Sequence, residues 1–152
     1  METENDNVVS TLNGLIETCK DGQNGFKTAS ESVNNQDLKR LFSEYSQQRA
    51  RFTGELQTEV RTLGGDPETT GSTAAALHRG WIDIKSVVTG KDEGAIVAEC
   101  ERGEDSAVRN YEEALRASLP ANVKSLVDRQ FSEVKQAHDR IRSLEKASGA
   151  TN

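Results

Sequence analysis

Proline, cysteine, histidine and tryptophan are scarce in this chain of 152 residues, with two prolines, two cysteines, two histidines and one tryptophan. Cys19 and Cys100 are too few for a disulfide scaffold, and such sparse use of cysteine suits a reducing compartment. Positive charge is also short: 19 basic residues face 25 acidic ones, the net charge is −6, and no basic block interrupts the sequence. Free-standing nucleic-acid binding and docking on an anionic membrane each need a concentrated positive face, so neither partner is expected. No apolar run approaches the roughly 20 residues that cross a bilayer, and the acidic start METENDN is unlike a signal peptide. A cytoplasmic location is the expectation. Missing too are a Gly-rich phosphate loop, a nucleophile elbow, a zinc-spaced Cys/His set and any Ser/His/Asp arrangement. Even apolar residues are thin. Only 34% of the chain is hydrophobic, and Leu, Ile, Val and Phe make up about a fifth, the border at which disorder competes with folding.

Periodicity decides in favour of a fold. Apolar positions recur in steps of three or four through Val8, Leu12, Leu15, Ile16 and Cys19, and again through Leu38, Leu41, Phe42, Tyr45, Phe52, Leu56 and Val60. The same period runs from Ile96 to Leu119 and from Val123 to Leu144, and nothing alternates with period two for long enough to argue a strand. Breaks fall at Asn34-Asn35, at Gly64-Gly65-Asp66-Pro67 through Gly71, at Gly90 and at Pro120. Helices are therefore predicted over about 6–33, 36–63, 72–89, 92–118 and 121–147, all in a single domain spanning 1–152. Ser72 suits the cap of the short third piece, Gly64-Gly65 the end of the second helix, and Pro120 the first turn of the last. A helix of about 25 residues is about 38 Å long. One narrow apolar stripe on each long helix, with a charged outer face, is the pattern of a bundle member, and it accounts for the low apolar content.

The two halves look like an internal repeat. Cys19-x-x-Gly22 and Cys100-x-x-Gly103 share a spacing, and Leu38, Leu41 and Phe42 correspond to Val123, Leu126 and Val127. Short links make two antiparallel hairpins, and the stretch from about residue 64 to 90 is long enough to run the length of a bundle. One long crossover between two hairpins is the ferritin-like connectivity. The expected fold is all-α: a ferritin-like four-helix bundle with a short fifth helix in its crossover.

Four strings stand in order along the chain: Cys19-Lys-Asp-Gly-Gln-Asn-Gly-Phe26, Gln48-Arg49-x-x-Phe52-x-x-Glu55-Leu56, Leu77-His-Arg-Gly-Trp81 and Glu99-Cys-Glu-Arg-Gly-Glu-Asp105. Together they resemble the bacterial domain-of-unknown-function family described as ferritin-like four-helix-bundle proteins, first labelled from a Pseudomonas protein. The resemblance covers about residues 7–145. It implies the bundle and a bacterial source but no activity. More distantly the layout is similar to rubrerythrin and other di-iron carboxylate bundles. Those place a Glu on each of two helices and Glu-x-x-His on each of the other two. Gly103-Glu104 resembles the Gly-Glu of the rubrerythrin third helix. The remaining positions depart from the pattern: Lys135 stands three residues before His138, Ser46-Gln47-Gln48-Arg49 stands where helix-two ligands belong, and Glu17 and Asp21 merely flank Cys19.

Arg49, Glu104 and His138 are thus the chemically informative residues on apolar stripes. Burying an unpaired charge is very costly, so these three are expected to pair in a core polar network, with Arg49 standing where a metal would otherwise balance Glu104. Were a metal bound, Glu17, Glu104 and His138 would be its candidate ligands. The two cysteines are expected to be apolar fillers, with a redox pair as the alternative. Gly22, Gly25 and Gly103 inside helices, at roughly 1 kcal/mol each against Ala, suggest close helix approach or room for a large neighbour such as Trp81. The His78-Arg79-Gly80-Trp81 string is expected to pack the crossover on the bundle, with a partner-binding patch as the alternative. Among Glu99, Glu101, Glu104 and Asp105, only Glu101 with Glu104 or Asp105 can share a helical face, and with no ligand arriving from another helix a solvated face is expected. Without a catalytic constellation or a cofactor, the expected function is non-enzymatic, by homo-oligomeric assembly or a protein partner. The alternative is an iron-dependent or other metal-binding oxidoreductase with a degenerate ligand set.

Overall fold

A computed structural model describes residues 4–68 and 92–148. Four long helices account for nearly all of them: α1 (Glu4–Ser32), α2 (Gln36–Thr62), α3 (Glu93–Arg116) and α4 (Ala121–Ser148). Among the described residues there is no strand. The short helix expected over 72–89, with Ser72 and the Leu77 to Trp81 string, lies outside the described residues.

Local chemistry sets the ends. Asn35 caps α2, its side-chain oxygen accepting from the backbone N–H groups of Asp37 (2.9 Å) and Leu38 (3.1 Å), which satisfies two of the donors that a helix N-terminus leaves free. Gly64 ends the same helix at φ 84°. That left-handed conformation lets Gly64 N–H reach Arg61 O and Gly65 N–H reach Val60 O, both at 2.9 Å. Asp92 caps α3 by accepting from Ala95 N–H. Pro120 stands just ahead of the first turn of α4, where its carbonyl accepts from Lys124 N–H at 2.8 Å.

Helices α1 and α2, α3 and α4, α1 and α3, and α2 and α4 pack as neighbours, so α2 and α3 are diagonal across the bundle. Each neighbouring pair is antiparallel. Between α1 and α3, Asn34 near the end of one meets Glu93 at the start of the other, while Cys19 meets Tyr111 further along. Helices α2 and α3 consequently run the same way. Glu68 and Asp92 lie at opposite ends of the bundle: Asn13 near the start of α1 holds Glu68 N–H, and Glu93 holds the α1–α2 turn. This is the hairpin, crossover, hairpin order that the loop lengths predict.

The core is divided. One apolar cluster gathers Val8, Leu12, Ile16, Phe52, Leu56 and Val127 with their neighbours, and the other gathers Phe26, Phe42, Ile96, Val97 and Ile141. Gly22, Arg49 and Glu104 fall between the two clusters along α1, α2 and α3, so the boundary between them is a layer of charge.

Candidate functional site

Arg49 from α2 and Glu104 from α3 meet at the bundle centre. Their side chains are 1% and 0% exposed, and the guanidinium donates from Nη1 to Oε1 and from Nη2 to Oε2, both at 2.5 Å. Parallel bonds of this kind are the strongest pairing that arginine makes with a carboxylate. Phe26 lies under the guanidinium with its ring centroid 5.4 Å from Cζ, and Gln48 accepts from Nε at 3.2 Å. Gly22 supplies the space. A Cβ at that position would stand 3.1 Å from Arg49 Nη1 and 3.2 Å from its Cγ. The large neighbour for which Gly22 leaves room is therefore Arg49. Burial opposes charge on Arg49, but the negative charge and hydrogen bonds of Glu104 outweigh it and hold the guanidinium protonated more firmly than usual.

A second polar chain descends from this centre. Tyr111 donates its hydroxyl proton to Gln130 Oε1 at 2.7 Å, and Cys19 Sγ lies 3.1 Å from the Tyr111 oxygen. Gln130 in turn donates to Phe52 O and to Glu55 Oε1, and the other Glu55 oxygen takes a bond from Arg129 at the surface. Burial pushes the Cys19 thiol up to about 11, against the lowering effect of the Tyr111 hydrogen bond. It also raises Cys100 and Tyr111 well above their ordinary values. Both cysteines are buried and free, and they belong to different apolar clusters.

This centre does not fit a di-iron site. Such a site draws four carboxylates and two imidazoles from the four helices. Here the described helices bring Cys19, Gly22, Arg49, Glu104, Tyr111 and Gln130, and both oxygens of Glu104 are already bound by a fixed cation.

His138 does not join the central network, contrary to the expectation of an Arg49, Glu104, His138 cluster. Around His138 the inward positions of α4 are Val134, Ala137 and Ile141. His138 follows Ala137 by about 100° of helix rotation, which turns it to the flank where α4 meets α3. There its Nε2 is 2.5 Å from Asp105 Oδ1 and its Nδ1 is 3.1 Å from Asp139 Oδ1. Glu17, Glu104 and His138 likewise form no common ligand set. Glu17 lines a groove between α1 and α3 with Thr18, Asn110 and Glu113. Among the described residues the group of three able to hold a metal is Glu101, Asp105 and His138, all half-buried, each offering one ligand atom within 4.8 Å of the others. The acidic face of α3 thus does receive a ligand from another helix, which corrects the expectation of a purely solvated face. The i, i+4 spacing of Glu101 and Asp105 is legible in the sequence; the arrival of His138 beside them depends on how α4 is rotated. Glu99, the remaining member of that acidic run, is buried and paired with Arg102.

Comparison with known proteins agrees with the fold. A family model described as "Domain of unknown function (DUF2383)" matches residues 7–117. No curated protein matches the sequence. Solved structures share the fold, two of them as follows. One is a Dps1 mutant from Mycobacterium smegmatis, with a TM-score of 0.80 and 16% identity, covering 95% of this chain and 99% of that one. The other is a two-domain protein from Anabaena variabilis containing DJ-1/ThiJ/PfpI-like and ferritin-like domains, with a TM-score of 0.77 and 17% identity; it matches 96% of this chain, which spans 40% of that protein. At such identities the likeness establishes a ferritin-like bundle and nothing about activity.

Proposed function

The chain belongs to the family described as a domain of unknown function (DUF2383), and on that footing we propose that it is a non-enzymatic bundle acting through assembly or a protein partner in the bacterial cytoplasm. The observation that carries this reading is the bidentate Arg49–Glu104 pair, 1% and 0% exposed, in the place where a di-iron bundle gathers its ligands. A guanidinium cannot be deprotonated at physiological pH to admit a cation, and both Glu104 oxygens are engaged by it, which supports a centre held by an ion pair rather than by a metal. The four helices then serve as a rigid frame whose outer faces are left for contact.

Two measurements on the purified full chain test the reading together: aerobic ferrous oxidation, followed optically, and the mass in solution by light scattering. Oxidation no faster than the buffer blank, with a mass that is a multiple of the 16.6 kDa chain or that rises with a partner, is the expected result. Fast oxidation with two irons per chain, abolished by Glu104→Gln, would overturn it. A metal-dependent oxidoreductase is the second reading, favoured by the meeting of His138 with Glu101 and Asp105.

A further inference from the structure

We propose that Glu101, Asp105 and His138 bind one first-row divalent transition-metal ion on the flank where α3 meets α4. Whether the bundle is enzymatic or not, the site stands on its own geometry. One oxygen from each carboxylate and one imidazole nitrogen already lie within 4.8 Å of one another. Ligands about 2.0–2.2 Å from a tetrahedral ion lie roughly 3.3–3.6 Å apart, so the cluster needs only rotamer adjustment, with His138 Nε2 and Asp105 Oδ1 parting from 2.5 Å to admit the ion. Glu101 and Asp105 are one turn apart on α3, and His138 stands on the facing helix, so two rigid elements fix all three.

The outer contact of the imidazole is a second and separate indication. Histidines that bind metals almost always pass their other ring N–H to a carboxylate or carbonyl, which fixes the tautomer and aims the free lone pair. His138 Nδ1 faces Asp139 Oδ1 at 3.1 Å. With the proton on Nδ1, the Nε2 lone pair is free for a metal on the side where Nε2 meets Asp105. Two carboxylates neutralise a dication, and the imidazole nitrogen favours zinc, cobalt, nickel or ferrous iron over the all-oxygen preference of magnesium and calcium. The half-buried setting leaves a coordination position for water.

Calorimetric titration of the full chain with Zn²⁺, and Co²⁺ titration followed by visible absorption, test the assignment. One ion per chain is expected. Glu101→Gln and His138→Ala should each weaken binding by at least tenfold, and Asp139→Asn by about 10- to 100-fold through the imidazole it orients. His78→Ala, at the other histidine of the chain, should bind as wild type does. Imidazole NMR resonances provide a readout that does not depend on any variant folding: those of His138 should move with Zn²⁺ while those of His78 stay in place. No binding by the wild type, or equal binding by Glu101→Gln and His138→Ala with unmoved His138 resonances, would overturn the proposal.

Discussion

Removing Arg49 alone leaves Glu104 as a carboxylate with neither water nor a counter-charge, and removing Glu104 alone strands the guanidinium. Breaking one side of a buried pair costs about 3–5 kcal/mol, whereas replacing both partners with apolar groups of similar volume is often close to neutral. Urea denaturation of Arg49→Met, Glu104→Leu and the double variant should therefore show two large single losses and a double loss well below their sum. Additive losses would mean that the two charges are not coupled. The Cys19 thiol makes a different prediction. Folded, it keeps its proton up to about pH 11, against an ordinary value of 9.0. Between these values the unfolded chain has released a proton that the folded chain retains, so this contribution is intact below pH 9 and is lost as pH rises to 11. Its size is on the order of 2 to 3 kcal/mol. Cys100 and Tyr111 act in the same direction. Chemical denaturation across pH 8 to 11 should fall less steeply in Cys19→Ala than in the wild type, and parallel curves would refute the assignment.

At the level of elements, the helices are long enough to need little from their ends, yet two turns are specified by single residues. Asn35 satisfies two backbone donors of α2, and its own N–H and that of Asn34 are held by Glu93 from the start of α3. Asn35→Ala should cost about 1 kcal/mol. Gly64 at φ 84° occupies a region that costs an L-residue roughly 1–2 kcal/mol, so Gly64→Ala should lower the melting temperature by several degrees for a domain of this size. Both effects are read from thermal unfolding by circular dichroism, and an unchanged midpoint in either variant would contradict the capping role.

The whole molecule is a bundle whose core is crossed by a charged layer, with one apolar cluster on each side. Arg49 and Glu104 join the two diagonal helices, which share no neighbouring face, so the pair ties the bundle across its middle. Unfolding should accordingly be a single transition: the near-ultraviolet signal of Tyr111 in one cluster and the far-ultraviolet helical signal should be lost together. Two separated transitions would show that the clusters melt independently.

The sequence by itself determined the four long helices and their order, because a 3.6-residue apolar stripe, a break at Asn34-Asn35 and a pair of glycines are local signals that act through a few neighbouring bonds. The connectivity was legible for the same reason: short links at residues 33–35 and 117–120 force antiparallel neighbours, and a long one permits parallel diagonals. Arg49 and Glu104 also announced themselves, since a charge on an apolar stripe must find a partner. What the tertiary structure decided was which residues meet. The rotation of α4 about its axis, set by Val134, Ala137 and Ile141 seeking the core, carries His138 away from Glu104 and onto Asp105. Gly22 opposite Arg49, and the line from Cys19 through Tyr111 to Gln130, likewise depend on distances between helices that no spacing along one chain encodes. Local periodicity tells each helix which face to bury; only packing fixes what that face touches.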